Sequence, residues 1–182
     1  MLSRWRKFQT SQSGLAAVEF ALIAPVLVTF LLGTVEVCNA LECHEKVTLL
    51  ASTSADLVAR VTSVSSADMT NIFNAANSVV YPFSSTNAKI VVSSIISDGY
   101  GNGTVAWSQA QNATPLTVNQ TVTVPTGLMD QTLCPKGACS VILAQVTYNY
   151  TSPIGGFIAG VLPMSDTFYS HPRRSVTISY TG

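Results

Sequence analysis

The side chains with chemistry to offer are few: four cysteines, two histidines and nine acids in 182 residues. Cys134 and Cys139 bracket the segment CPKGAC. A proline and a glycine inside so short a loop let the two Cα atoms approach bridging distance, so a disulfide is expected in an oxidising compartment. A redox-catalytic pair would prefer C-x-x-C at a helix start. Cys38 and Cys43 share the same spacing but fall in an expected helix, where positions five apart face different ways. They read as small packing residues, with a bridge to a partner subunit as the alternative. Glu42, Cys43, His44 and Glu45 are consecutive, and consecutive helical side chains diverge, so they do not converge on a metal ion. His171 stands with Arg173 and Arg174 in SHPRRS, either a solvated turn and strand start or a partner contact. Neither histidine joins a nucleophile–base pattern. G-x-S-x-G and P-loop sequences are absent, and DGYGNG lacks the dinucleotide spacing. The sequence therefore predicts no catalytic residue, no metal and no cofactor. One acid is harder to place: Glu19 interrupts the run SGLAAVEFALIAPVLVTFLLG, residues 13 to 33. A charge near the mouth of a bilayer helix is expensive and calls for a partner or a role.

The element that must position Glu19 is an apolar helix. Leu15 to Val35 is apolar throughout if Glu19 is tolerated, and 21 residues at 1.5 Å rise span about 31 Å, the thickness of a bilayer core. Arg4, Arg6 and Lys7 precede it with no acid among them, which predicts a cytoplasmic N-terminus and an external C-terminal part. A secretory signal would end at a small-residue site, and Cys38-Asn39-Ala40 follows an apolar run longer than such cores. A lipoprotein signal needs small residues before its cysteine, where Val35-Glu36-Val37 stand. A plain anchor accounts for the span but not for Gly14 or Glu19.

Gly14, an apolar residue after it, and glutamate at the fifth position beyond it resemble a type IV prepilin cleavage site. More narrowly, GLAAVEFALIAPVLVTFLLG resembles the TadE-like minor pilins (pseudopilins) of tight-adherence pilus systems, in Glu19-Phe20, Pro25 and the apolar block ending at Gly33. The resemblance implies cutting after Gly14 by a prepilin peptidase on the cytoplasmic side, leaving Leu15 as the mature N-terminus. The processing residues it implies are Gly14, Leu15, Glu19 and Phe20. VTYNYTSPIGGFIAG and the closing HPRRSVTIS are similar, more loosely, to the C-terminal part of that family. Residues 61 to 138 carry no family resemblance.

Beyond the membrane the helix is expected to continue through NALECHEKVTLLASTSADLVARVTSV, with Leu41, Val47, Leu50, Leu57, Val58 and Val61 at helical spacing. Ser65 is a candidate cap with Asp68 three residues on, opening a second helix that stops near Pro82. From Ala88 the period changes to two. AKIVVSSIIS, TVAWSQ, the short QTVTVPTG, CSVILAQVTYNYTS and SVTISYTG read as strands, with DGYGNG as a turn. In the fourth stretch Val141, Leu143, Gln145 and Thr147 should face one way, and Ile142, Ala144, Val146 and Tyr148 the other. The expected fold is α+β: a long N-terminal helix whose outer half packs on an antiparallel sheet of about four strands, as in pilins. The expected organisation is a basic leader at 1–14, a transmembrane and assembly helix at 15–37, and an extracytoplasmic domain at 38–182.

Charged residues make up only 10% of the chain and the formal net charge is zero, which leaves no electrostatic footprint for nucleic acid. The reading that fits is a non-enzymatic minor pilin of the bacterial inner membrane. Its partners would be the peptidase, other pilin subunits and the pilus assembly machinery. Three alternatives stay open: a secreted adhesin or binding module, a permanently anchored assembly factor, and a hydrolase, which would need a convergent acid–base site.

Overall fold

One helix, α1 (Ser13–Ala59), dominates the computed structural model, which describes residues 13–129, 134–152 and 160–182. Residues 1–12 of the leader and most of the segment SPIGGFIAG fall outside the described residues. At 1.5 Å per residue the 47 residues of α1 extend about 70 Å. Its two halves live in different surroundings. From Leu15 to Val35 almost every side chain is exposed, Phe20, Leu22 and Phe30 by 69, 76 and 72%. From Glu36 onward one stripe is buried: Glu36, Cys43, Val47, Leu50, Ser54 and Val58, with Ala51 and Ala55 beside it. Steps of three and four residues keep that stripe on one face. The bare half meets the length and hydropathy of a membrane span, and none of its window is buried within the protein.

Pro25 lies inside α1. Proline removes one backbone donor and so leaves the carbonyl four residues back, that of Ala21, without its intrahelical partner; the threonine hydroxyls of this stretch bond other carbonyls. The hydroxyl of Thr29 donates to the Pro25 carbonyl at 2.8 Å, and that of Thr34 to the Phe30 carbonyl at 2.8 Å.

After α1 come β1 (Ser63–Val64) and α2 (Ser66–Asn77). Ser65 caps α2 as expected: its hydroxyl accepts from the Asp68 amide at 3.2 Å, and the Asp68 carboxylate accepts from the Ser65 amide at 2.9 Å. This reciprocal pair satisfies two backbone donors at the helix start. A 3-10 turn, Ser78–Val80, ends the helical segment just before Pro82.

The main sheet has five strands in the order β4-β3-β2-β5-β6, all antiparallel. They are β2 (Ala88–Ser97), β3 (Gly103–Gln111), β4 (Thr121–Val122), β5 (Ser140–Thr151) and β6 (Val161–Ser170). Between β2 and β3, Gly99 and Gly101 adopt φ of 84° and 90°, which glycine alone adopts at no steric cost. The Asp98 carboxylate accepts from the amides of Tyr100 and Asn102 across the same turn.

The alternation expected in β5 is borne out. Ile142, Ala144, Val146 and Tyr148 join the core beneath α1 and α2, while Val141 and Leu143 join a smaller core on the opposite face with Ile95, Val105, Val124 and Met129. Two expectations for the sheet need correction. Val161–Ser170, not among the stretches expected as strands, is a ten-residue edge strand; an edge tolerates Pro163 because a missing amide there need not break a ladder. The closing SVTISYTG contributes only β7 (Ser179–Tyr180), which leaves the main sheet and pairs in parallel with β1. The class is α+β, with five strands where about four were expected.

Candidate processing and assembly surface

Gly14, Leu15, Glu19 and Phe20 all lie in the first two turns of α1, and all are exposed. The Gly14–Leu15 bond sits where backbone amides have no intrahelical acceptor. Scission there takes little from the helix. Among the described residues nothing stands within 4 Å of a Cβ built on Gly14. Leu15 and Glu19 are four apart and share one face. An α-amino group at Leu15 would add a positive charge to the positive end of the helix, and Glu19 is the acid one turn away.

Further along, Phe30, Gly33, Thr34, Val37 and Cys38 line an open, mostly apolar groove on the surface of α1. Gly33 lowers the surface between bulkier neighbours, which lets another helix approach closely. Cys38 is exposed and Cys43 fully buried, as their five-residue spacing implies. Burial, and secondly the nearby Glu42, push the Cys43 thiol up to about 11, so it stays protonated and unreactive. Burial, then the adjacent Cys43, also holds Tyr148 and Tyr150 above the ordinary phenol range, with Glu36 a further influence on Tyr150. These groups form the polar lower end of the stripe, where α1 leaves the domain.

At the far end of α1, Asp56 is bound by two arginines. Arg60 Nε donates at 2.8 Å, and Arg173 reaches the other carboxylate oxygen. The Arg173 amide also donates to the Ala59 carbonyl at 2.9 Å. The sequence alone places Arg173 in a solvated turn and strand start or at a partner contact; the structure shows it tying the C-terminal segment to the last turn of α1. Thr48 and Asp166 form a second polar tie, from α1 to β6. Neither is visible in the sequence, because each joins residues more than 110 apart.

Cys134 and Cys139 form a disulfide with Cα atoms 5.2 Å apart. Ser97 holds the loop from both sides: its hydroxyl donates to the Cys134 carbonyl, its amide to the Cys139 carbonyl, and its own carbonyl accepts from Gly137. His44, Glu42 and Glu45 are exposed while Cys43 points inward. Among the described residues no three His, Cys, Asp or Glu side chains gather as metal ligands.

A family model described as TadE-like protein matches residues 14–56. The match opens at Gly14 and runs to within three residues of the end of α1. It bears out the resemblance read from that stretch. No curated protein and no solved structure matches the chain.

Proposed function

We propose that this chain is a minor pilin or pseudopilin of a tight-adherence pilus. It enters the inner membrane with its N-terminus inside, and a prepilin peptidase removes Met1 to Gly14. The rest then joins the pilus through its apolar helix, with the domain of residues 38–182 facing outward. The observation that carries this reading is the pairing of the family match with the bare half of α1. The matched segment begins at the proposed cleavage point, and the apolar surface of its first half has no cover among the described residues. Such a surface is stable only in lipid or against other helices.

The role is structural. The sequence brings no acid–base pair together, and the matched family is one of pilin-type proteins. This reading also gives Glu19 a role in assembly. A paired charge is tolerated in an apolar setting, whereas an unpaired one costs several kcal/mol. Its partner would be the Leu15 amino group of a neighbouring subunit, which makes Glu19 a selector of helix register.

The test is the intact mass of the protein from a host with the cognate peptidase. Loss of residues 1 to 14 is expected. A product that keeps Met1 would assign the chain instead to a permanently anchored assembly factor. A product beginning near Leu41 would make it a secreted domain.

A further inference from the structure

Six cationic side chains follow Gly14, and three of them, Arg60, Arg173 and Arg174, gather at the outer end of α1. Arg60 and Arg173 remain 61 and 60% exposed although both bind Asp56. Arg174 is exposed beside the groove that also holds Arg60 and Asp68. Three arginines stand against two carboxylates, Asp56 and the Asp68 that Ser65 holds ionised, so the cluster keeps one positive charge in excess. Further in along the same helix, near the start of its buried stripe, Glu42 and Glu45 are exposed, with Lys46 half-buried beside them. Among the described residues neither glutamate takes part in an ion pair. Glu42 and Glu45 fall on the side of α1 away from the buried stripe, and Arg60, the residue after α1 ends, is exposed. Fifteen residues separate Glu45 from Arg60, a rise of about 22 Å.

We propose that Glu42 and Glu45 of one copy dock on Arg60, Arg173 and Arg174 of a second copy standing about 22 Å lower along the helix axis. This rests on the pilin reading and names a contact within it. Two copies in one bilayer sit at equal depth, so their glutamates face each other and their arginines face each other. Like charges opposed in this way keep membrane-resident copies apart. Once one copy has moved outward by most of a bilayer thickness, its acidic level meets the basic level of the copy still embedded. The two patches differ, so the contact is heterologous. Repeated without closure, such a contact extends a filament. Exposed ion pairs contribute little affinity each; their effect is to set the stagger that the apolar helices alone leave free.

The test uses the processed full chain in detergent, where copies are free to stagger, followed by sedimentation at low and high salt. Glu42→Lys with Glu45→Lys, and Arg174→Glu alone, are each expected to weaken self-association roughly tenfold. Arg174 is chosen because it holds no ion pair among the described residues, and Trp107 fluorescence verifies the fold. Mixing the two variants should restore association. In vesicles, where all copies span one bilayer, mixing should give no gain. Unchanged association in either variant, failure of the mixture to recover, or a gain in vesicles would overturn the proposal. A chain that retains Met1 would defeat the pilin reading separately, because the charge-reversal result is read from association alone.

Discussion

Replacing Cys134 and Cys139 together by alanine isolates what the disulfide contributes. The bridge closes a ring of six residues, given its sequence separation of 5. Loop-closure entropy for so small a ring amounts to about 2 kcal/mol at 25 °C. The three hydrogen bonds made by Ser97 hold the same loop without help from the sulfurs. The native geometry should therefore survive, and the loss should fall on the unfolded state. Urea unfolding can be followed through Trp107, which is 6% exposed, donates to the Ile178 carbonyl at 2.7 Å, and is the only tryptophan once Trp5 is removed. With a denaturant dependence of about 2 kcal/mol/M, the midpoint should fall by about 1 M with an unchanged slope. A midpoint within about 0.2 M of wild type, on the order of a fifth of the expected shift or less, would refute the reasoning. A lower slope would show instead that the loop had come apart in the native state.

Ser65→Ala should lower stability by about 1 kcal/mol through loss of the α2 cap. Hydrogen bonds from Ser65 hold the Asp68 carboxyl below its ordinary range, so the share of the cap that the Asp68 carboxylate carries is present above the unfolded carboxylate pKa and disappears as pH falls through the lowered one. A stability difference between wild type and Ser65→Ala that persists unchanged at strongly acidic pH would contradict the assignment. Maleimide should label Cys38 in the native protein and spare Cys43 until urea is added; equal labelling of both would mean that the stripe on α1 is not buried. Glu19→Ala and Glu19→Gln should both insert and fold, yet the ratio of pilus-associated to membrane-retained protein should drop sharply. Wild-type ratios at equal expression would leave Glu19 with no role in assembly.

How much of this could be read beforehand depended on whether the signal was local. The cap at Ser65, the turn at Asp98–Asn102 and the two faces of β5 each rest on residues within a few positions of one another. The helix face was only half legible. Val47, Leu50 and Val58 are buried as expected, but Leu41 is 60% exposed, and the remaining buried positions include Cys43, Ala51, Ser54 and Ala55. Small residues give a weak hydropathy signal, yet they let α1 lie close on β5 and β6. Ser54 conceals itself further by donating to the Leu50 carbonyl at 2.7 Å. β6 was missed because Pro163 and an irregular pattern describe an exposed edge poorly, and β7 was over-extended because alternation says nothing about which partner a strand finds. For the candidate surface, the motif at Gly14 and Glu19 was legible, whereas the arginine cluster exists only through the return of the chain to α1.

That return also determines how traction would pass through the molecule. The outer end of α1 is not a loose end. Arg173 bonds to Ala59, Ser179 to the Thr62 carbonyl and Thr181 to the Val64 carbonyl, so the last residues of the chain clasp the segment where α1 stops. Between Glu36 and Ala59 the helix lies along the sheet for about seven turns. A pull on its apolar end is therefore carried in shear, spread over Cys43, Val47, Leu50, Ser54 and Val58 together, with the clasp resisting slip at the top. Contacts loaded in parallel share the strain, and no single one has to yield first.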